Sequence, residues 1–539
     1  MNSPRKTGLK NPAVMAVSRP TSSRSMGAVD AAFLYIERKE IPLHIASVCI
    51  FDGPIPFREY VASIDSKLHL VPRYRQVPVF SPLGLAFPTW QDDPHFDLRK
   101  HVTRVTLEPP GDEAQLQELA GRILSEVLDR SRPLWDIHVV DGLKDGRGAL
   151  IWRVHHSLAD GVAGLELLKL LLNPTPDFCN PPAKPRRWRA HRQIQEHSLT
   201  ESISGAINKA VGSVLEFEAG ILGLAEHLLN NKTEVPLKAI MGLLPEFSAS
   251  IERLPFNKPC TGARKFCWTE IDLAEANKVR EIVGGTVNDV ILAVLTRALT
   301  HYVKLHGQSV VNRLVRIVCP VNLRSPDQHG GLGNQISFLP VVLPMDAHGP
   351  IRMLQAVTER TQKLKQCGAL GFVGLAAKWL SAAPPPLHAM FWSSIPEIIL
   401  PVPALNMICT NVVGSPAPLY AVGRKMLAAY PQVPTGYDFG VGCAVHSYNG
   451  KLFWGLIADT DAAPDVERLR DFITDSFQEL QKSVARKKAR IEKRAIRKAT
   501  EQQGNSSELS QNGAPGEPQG GVPPESKHPR AMKHSKEAA

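Results

Sequence analysis

The order of apolar and polar residues predicts an α/β unit in the first half of the chain. From Gln115 to Asp129, apolar side chains recur at the spacing of an amphipathic helix, at Leu116, Leu119, Ile123 and Val127. Two apolar stretches follow, Leu134 to Val140 and Ala149 to His155, and their composition predicts strands. A turn through Asp145 and Gly146 joins these strands.

A second α/β unit is predicted in the last half of the chain. Its clearest local signal is a hairpin from Ala444 to Ala458, because Asn449-Gly450 is the preferred dipeptide of a tight hairpin turn. Between the two units, the basic, proline-rich stretch Pro181 to Arg192 interrupts the pattern. A helical segment follows it, with one apolar face formed by Ile203, Ile207, Val214, Ile221, Ala225 and Leu228.

These patterns divide the chain into five parts. We predict a disordered N terminus (1–24), a first α/β domain (25–185), a helical linker (186–258), a second α/β domain (259–482), and a basic helix with a disordered tail (483–539). The chain has 539 residues and is 43% hydrophobic, so it is long and apolar enough for two domains with a substantial core.

The net charge of +11 is concentrated near the C terminus. Residues 483–539 contain twelve Lys/Arg and six Asp/Glu, and the predicted helix there includes the basic run Arg486 to Lys498. Such a helix either lies on an anionic membrane or lipid-body surface or is a solvated helix end. Nucleic-acid binding is disfavoured, because no aromatic residues interleave the basic run. After Thr500 the composition predicts disorder.

Composition also bears on the cellular compartment. The first 25 residues are polar and basic and lack the apolar core of a signal peptide. No uncharged apolar run reaches the roughly 18 residues of a membrane-spanning helix. We therefore expect a cytoplasmic protein, in which the eight scattered cysteines are reduced thiols without metal-type spacing.

The most informative motif is a histidine pair at the end of the second predicted strand. His155 and His156 are followed by Asp160 and Gly161 after a short turn. Because consecutive side chains of a strand point to opposite faces, one imidazole can face a cleft as a general base while the other holds the loop. Histidine suits proton abstraction at neutral pH, and such a base contributes about 10²–10⁴ in rate. We expect Asp160 to fix the loop through an ion pair, and Gly161 to allow unusual backbone geometry.

Three other interpretations of this motif compete with a general base. A metal site with Asp160 is disfavoured, because no further His or Cys cluster accompanies the pair. A purely structural turn with buried, satisfied histidines stays open. A serine hydrolase is excluded, because the chain has no G-x-S-x-G nucleophile elbow.

The sequence His155-His156-Ser157-Leu158-Ala159-Asp160-Gly161 resembles the H-H-x-x-x-D-G signature of the coenzyme A-dependent acyltransferase superfamily. Other segments narrow the resemblance to the bacterial wax ester synthase/diacylglycerol acyltransferase family. In chain order these are Met26 to Glu37, Arg132 to Trp135, Asn288-Asp289, Pro320 to Arg324, Gly333-Asn334 and Val341 to Pro344. The resemblance covers about residues 25 to 480.

The family resemblance implies an α/β fold of two chloramphenicol-acetyltransferase-like domains, with the active site at their interface. It implies transfer of a long-chain acyl group from acyl-CoA, the co-substrate, to diacylglycerol or a long-chain alcohol. No permanently bound cofactor, metal or nucleic acid is expected. His156 would be the general base, no acyl-enzyme would form, and His155 and Asp160 would be structural. By analogy, Arg324 is the expected ion-pair partner of Asp160. The family further implies peripheral contact with the inner membrane or lipid inclusions.

Asn288 and Asp289 have two interpretations. Thr286 can cap a helix in which Asp289 is the third residue, so Asp289 either complements the helix N terminus or belongs to the site. Asn288 is a candidate donor to a developing oxyanion.

Three further segments have less specific signals. Ala369 to Trp392 either dips into a lipid surface, closes over an acyl tunnel, or forms a core helix followed by a loop. Thr410 to Pro416 resembles a family block, although Val413 stands where proline is expected. Asp438-Phe439-Gly440 is similar to a motif of plant members of the superfamily, and we assign it a structural role only.

Two other functions are compatible with parts of this sequence. A condensation-type member of the superfamily would act on thioesters held by a carrier protein, and no carrier domain is encoded here. A catalytically idle lipid-surface binding protein would rely on the basic helix and the apolar segment. The intact histidine motif argues against that second rival.

Overall fold

A computed structural model describes residues 25–158, 171–177, 234–322, 336–368, 384–394 and 405–511. Its helices are α1 (Ala28–Ile36), α2 (Phe57–Lys67), α3 (Glu113–Ser125), α4 (Glu234–Ser248), α5 (Leu273–Val283), α6 (Val287–Leu305), α7 (Pro350–Gln366), α8 (Pro385–Ser394) and α9 (Val466–Gln511). Short 3-10 turns span Leu68–Leu70, Pro72–Arg75, Pro82–Gly84, Leu98–Lys100 and Lys144–Gly146.

The strands form two six-stranded sheets and a short ribbon. They are β1 (His44–Phe51), β2 (Gln76–Val79), β3 (Thr89–Asp92), β4 (Val102–Thr106), β5 (Trp135–Asp141), β6 (Gly148–His155), β7 (Arg264–Asp272), β8 (Leu314–Asn322), β9 (Ile336–Pro344), β10 (Met407–Val413), β11 (Tyr420–Ala421), β12 (Arg424–Gln432), β13 (Val441–Tyr448) and β14 (Lys451–Asp459). The first sheet has the order β11-β12-β1-β6-β5-β4 and the second β7-β14-β13-β10-β8-β9, while β2 pairs with β3. This mixed α/β architecture confirms the predicted fold class.

The first predicted helix and strands are present with small shifts. Helix α3 begins earlier than predicted, because Asp112 and Gln115 form a capping box at its N terminus. It ends at Ser125 rather than Asp129. The Arg153 guanidinium donates to the carbonyl oxygens of Ile123 and Glu126, which satisfies the last turn and lets the chain leave the helix there.

The predicted hairpin is also present. Strands β13 and β14 pair in antiparallel register from Val441–Ala458 to Tyr448–Lys451. Asn449 and Gly450, the two turn residues, both have positive φ, at 45° and 83°. This is the backbone conformation that a two-residue turn joining twisted strands requires, and it explains the Asn-Gly dipeptide.

The division into two halves differs from the prediction in one respect. Strands β11 and β12 come from the predicted C-terminal domain, yet β12 pairs with β1 and completes the first sheet. Residues Met1–Val484 accordingly form one compact unit. Each sheet has its own hydrophobic core, and α6 is the most deeply buried helix of the second core.

The segments around the cores agree only in part with the predictions. Most of the predicted linker lies outside the described residues, and its last part contains α4. Helix α9 extends to Gln511 and so includes residues 501–511, for which the composition predicts disorder. The disordered tail stays a prediction. Residues 485–539 form a second unit, of which 512–539, like the N-terminal residues 1–24, lie outside the described chain.

Within the described ranges, no single helix has both the length and the apolar character needed to cross a membrane. The pair Leu273–Val283 and Val287–Leu305, bent by 96°, meets that criterion only when the two helices are taken together.

Candidate active site

The histidine pair lies where β6 ends between β1 and β5. His155 is the last residue of β6 and pairs with His44 of β1, while His156 begins the following turn and donates its backbone N–H to the Leu43 carbonyl oxygen at 2.8 Å. The two side chains have different surroundings, as the strand alternation predicted. His155 is fully buried, whereas His156 borders a cavity.

His155 is held by polar contacts on both ring nitrogens. The backbone N–H of Ser157 donates to Nδ1 at 3.1 Å, and the Ser157 hydroxyl lies 2.6 Å from the same atom. Nε2 lies 3.2 Å from Oε1 of Glu37. Because Nδ1 accepts the Ser157 N–H, the neutral ring carries its proton on Nε2, the nitrogen that lies near the Glu37 carboxylate.

Glu37 is a site residue that the sequence analysis missed. It is 4% exposed, accepts the Leu43 N–H at 3.0 Å and lies 3.1 Å from the Arg130 guanidinium. Burial alone raises the pKa of this carboxyl, but His155, the Leu43 N–H and Arg130 lower it, and the resulting pKa is about 2. The available signal was its position at the end of the family-like segment that begins at Met26.

His156 lies against an aromatic ring. Its imidazole stacks on Phe33 of α1 with ring centroids 4.0 Å apart and an interplanar angle of 8°. The Leu43 carbonyl oxygen accepts the His156 N–H, and the Leu43 N–H donates to Glu37. The contacts of His155 and His156 thus converge on the short stretch from Glu37 to Leu43.

The cavity beside His156 has a volume of about 200 Å³ and lies between the two sheets. Most of its lining is apolar, with contributions from both halves of the chain: Phe33, Ile41, Leu43, Ile45, Ala46, Trp152, Pro320, Phe338, Ile408, Val412, Pro431, Val433, Pro434, Phe439 and Ala444. The polar residues that border it are Ser47, His156, Thr410, Asn411, Gln432, Thr435, Tyr437 and His446. A mostly apolar cavity with a smaller number of polar groups is typical of a small-molecule binding site.

Several predicted site residues lie outside the described chain. Asp160, Gly161 and Arg324 belong to this group, so their roles stay predictions. The described part of the motif ends at Leu158, whose N–H donates to the His155 carbonyl oxygen at 2.9 Å.

Asn288 is not among the described residues that line the cavity. It is the second residue of α6, where Thr286 and Asp289 form a capping box. Asp289 also accepts a hydrogen bond from the Thr361 hydroxyl at 2.7 Å. The structural interpretation of Asp289 therefore matches its contacts, and the geometry gives the oxyanion hypothesis for Asn288 no support.

Two of the weaker segments have identifiable surroundings. Thr410, Asn411 and Val412 of the family-like block border the cavity from β10. Asp438 forms an ion pair with Arg253 at 2.8 Å. The assignment of a structural role to Asp438-Phe439-Gly440 stays a prediction, with the addition that Phe439 borders the cavity.

The apolar segment Ala369 to Trp392 is described only from residue 384. Its helix α8 packs beside α1, where Arg38 donates to the Ser393 carbonyl oxygen at 3.1 Å and His388 lies near the Tyr35 ring. Three large apolar side chains of α8 are about half exposed or more: Leu387, Met390 and Phe391.

The described residues contain no group of three or more His, Cys, Asp or Glu side chains placed to hold a metal ion. The described cysteines are all free thiols.

Comparison with known proteins places this geometry in a family. Residues 26–291 match the model of the wax ester synthase/diacylglycerol acyltransferase catalytic domain, and residues 332–481 match the C-terminal domain of that family. A probable diacylglycerol O-acyltransferase of Mycobacterium tuberculosis is 29% identical over 460 residues, covering 84% of this chain and 94% of the relative. A second probable diacylglycerol O-acyltransferase of that organism is 29% identical over 475 residues, covering 84% and 98%.

Solved structures share the fold. The wax ester synthase/diacylglycerol acyltransferase from Marinobacter aquaeolei VT8 aligns with a TM-score of 0.59 and 22% identity, covering 86% of this chain and all of the other. The first condensation domain of the calcium-dependent antibiotic synthetase aligns with a TM-score of 0.56 and 13% identity, covering 86% and 97%. Since the two family models together match more than half of its residues, the chain belongs to the wax ester synthase/diacylglycerol acyltransferase family of acyltransferases.

Proposed function

We propose that this protein transfers a long-chain fatty acyl group from acyl-CoA to the hydroxyl of a diacylglycerol or a long-chain alcohol. The products are triacylglycerol or wax ester, and coenzyme A is released. The observation that carries the proposal is the placement of His156 at the wall of a mostly apolar cavity between the two sheets. The relatives named as diacylglycerol O-acyltransferases support the same substrate class.

His156 is the proposed general base. As the acceptor oxygen attacks the thioester carbonyl carbon, the imidazole of His156 takes the hydroxyl proton, and a C–O bond forms. The tetrahedral intermediate then collapses, the C–S bond breaks, and the coenzyme A thiolate leaves and takes the proton from the imidazolium. An alcohol is a poor nucleophile at neutral pH, so removing its proton during attack is the main contribution of the base.

His155 and Glu37 have a positioning role in this proposal. His155 is adjacent to the base in the chain, and the Ser157 and Glu37 contacts hold its ring on the opposite side of the strand end. Glu37 also binds the Leu43 N–H, while the Leu43 carbonyl oxygen holds the His156 N–H. The carboxylate therefore supports the ring of His155 directly and the backbone of His156 through Leu43, without bordering the cavity.

Direct transfer, without an acyl-enzyme, is the simplest mechanism for this site. Ser47 is the one serine among the described lining residues, and its hydroxyl lies 3.6 Å from the Cys49 thiol. A serine nucleophile needs an adjacent base within hydrogen-bonding distance, and no such contact of Ser47 with a histidine is found in the described residues.

Contact with a lipid surface is the second part of the proposal. Helix α4 exposes Met241, Leu244 and Phe247, and its Glu246 binds the Val342 N–H of β9 at 2.6 Å. Helix α8 exposes a similar set beside α1. Strand β9 and helix α1 each contribute a phenylalanine to the cavity, Phe338 and Phe33. Both apolar helices thus adjoin elements of the cavity wall, which suits a cytoplasmic enzyme bound peripherally to the inner membrane or lipid inclusions.

The test of the enzymatic proposal is release of free coenzyme A from palmitoyl-CoA, with dioleoylglycerol or hexadecanol as acceptor. Acceptor-dependent release of coenzyme A that is largely lost in His156→Ala supports a transferase with His156 as general base. Acyl transfer only from an acylated, phosphopantetheinylated carrier protein, which frees the carrier's thiol in place of coenzyme A, would instead favour the condensation-type rival. Binding of lipid vesicles without any acyl transfer would favour the idle binding protein.

A further inference from the structure

One residue of the cavity lies far from the histidine pair and has no role in the proposed chemistry. His446 is 3% exposed and belongs to β13. Along that strand Cys443 and Val445 are part of the second core, whereas Ala444 and His446 border the cavity. The alternation of a strand therefore directs the His446 side chain toward the cavity and away from the core.

The strand registers place His446 and His156 at opposite ends of the cavity. The His156 backbone is bound to Leu43, which lies just before β1 and two residues before Ile45. Gln432 pairs with Ala46, so Val433 continues to the level of Ile45, and Val433 is the neighbour of Gly442. His446 lies four residues beyond Gly442, a distance of about 13 Å along the strand.

The direction of this displacement follows from a second contact. Pro431 pairs with Ser47, and it packs against Gly455, which pairs with Ala444. The steps from Gly442 to Ala444 and from Ile45 to Ser47 therefore run the same way. Since Leu43 is two residues before Ile45, the total separation along the strands is about six residues, or roughly 20 Å.

The wall between the two histidines is mainly apolar. It includes Ile45 and Trp152 from the first sheet and Ile408, Val412 and Ala444 from the second. Along the strands, the two ends of this cavity are separated by a distance comparable to the length of an extended long-chain alkyl group. At its far end the His446 ring packs against the Gly414 backbone, where an added Cβ would come within 1.9 Å of Nε2. Gly414 therefore leaves the ring just enough room to occupy this position.

We propose that His446 is the end wall of an alkyl-chain channel that begins at His156, and that its bulk limits the length of the chain that the enzyme accepts. This inference rests on the proposed function. The ligand is a linear alkyl chain attached to the reacting centre, from either the acyl-CoA or the alcohol. The imidazole acts here through its size, and it takes no part in proton transfer.

The test compares chain-length profiles of the full-length wild type, His446→Ala, His446→Leu and His446→Phe. One series uses C12 to C24 acyl-CoA with a fixed dioleoylglycerol acceptor, and the other uses C10 to C22 alcohols with fixed palmitoyl-CoA. Whichever series changes identifies the chain that occupies the channel. The Leu variant preserves an apolar wall if the Ala variant does not fold, and the Phe variant is the matched control that keeps a ring and removes the nitrogens.

We expect His446→Ala to shift the optimum to longer chains in one series. His446→Leu should do so to a lesser extent, because leucine is about as bulky as histidine but extends less far from the backbone. The gain in relative kcat/KM is roughly fourfold for each methylene newly buried. His446→Phe, whose ring is slightly larger, should keep the wild-type profile or shift it toward shorter chains. Unchanged profiles in the Ala and Leu variants, with activity retained, would overturn the channel proposal alone. So would a shift toward longer chains in His446→Phe as large as that in His446→Ala, because a ring of at least equal size would then fail to limit the chain. Absence of acyl transfer by the wild type with every substrate would overturn the proposed function itself.

Discussion

Nε2 of His155 lies 3.2 Å from Oε1 of Glu37, and both side chains are almost completely buried. The carboxylate comes from the end of α1 and the imidazole from the end of β6. Glu37 also binds the Leu43 N–H, and the Leu43 carbonyl oxygen binds the N–H of His156. The position of the proposed base therefore depends on a carboxylate that does not border the cavity.

Loss of this carboxylate should impair turnover more than substrate binding. In Glu37→Ala the buried His155 N–H loses its acceptor, which costs about 1–3 kcal/mol and misplaces the adjacent His156. We expect kcat to fall at least roughly tenfold with KM for acyl-CoA nearly unchanged, and Glu37→Gln, which keeps an acceptor oxygen, to recover part of the loss. Steady-state kinetics of coenzyme A release measures both quantities. A rise in KM at constant kcat would contradict the positioning role.

Acid should destabilise the fold through His44. This imidazole is 1% exposed, and burial, with a smaller contribution from Arg153, lowers its pKa from 6.5 to about 3. The unfolded chain then binds a proton that the folded chain does not, so the free energy of unfolding falls as pH decreases from about 6.5 toward 3. At pH 4.5 the loss from this residue reaches about 3 kcal/mol.

Urea unfolding between pH 7 and pH 4.5 measures this effect in the wild type and in His44→Leu. The Leu variant should show a smaller loss of stability over the interval. Parallel pH dependences of the two proteins would contradict the assignment of the effect to His44. Glu37 contributes in a lower window, because its depressed pKa preserves its contribution above about 4.5 and loses it as pH falls toward 2.

Substitution of Asp289 should lower stability, whereas substitution of Asn288 should leave the activity nearly unchanged. Asp289→Ala removes half of the capping box of α6 and the bond from Thr361, so we expect a loss of about 1–2 kcal/mol in stability. Asn288→Ala should leave kcat within about twofold of wild type, a change that corresponds to less than about 0.5 kcal/mol in the barrier. A loss of kcat of a hundredfold in Asn288→Ala would restore the oxyanion hypothesis. Thermal unfolding and initial rates are the two measurements.

The exposed face of α8 should govern binding to lipid. Met390→Glu combined with Phe391→Glu places two charges on that face, and we expect vesicle affinity to fall at least roughly tenfold, since burying either side chain contributes about 1.5–3 kcal/mol. Val311→Glu is the matched control, because Val311 is 72% exposed and lies in a turn of the second domain. Sedimentation with phosphatidylglycerol/phosphatidylcholine vesicles measures binding. Equal losses in the control would contradict the assignment to α8.

The sequence predicted best what depends on neighbouring residues. The turn at Asn449-Gly450, the cap at Thr286 and the opposite directions of His155 and His156 are local, and each is present. The predicted end of α3 was too late, because Arg153, distant in sequence, satisfies its last carbonyl groups.

Contacts between distant segments were not predictable in this way. Nothing in the composition of Arg424–Gln432 indicates that it joins the first sheet beside β1, since the pairing is set by tertiary packing rather than by local pattern. The same holds for Glu37 facing His155, and for His446 at the far end of the cavity. In each case two segments with unremarkable local patterns meet only after the sheets have formed.

Coenzyme A release by His156→Ala is the most direct test of the account. With palmitoyl-CoA and dioleoylglycerol, the wild type should release thiol in an acceptor-dependent manner, and the variant should lose about 10²–10⁴ in rate while it unfolds at a similar temperature. Palmitoyl-CoA with hexadecanol, run in parallel, separates triacylglycerol from wax ester synthesis. Full acceptor-dependent release by a folded His156→Ala variant would contradict the assignment of His156 as the general base.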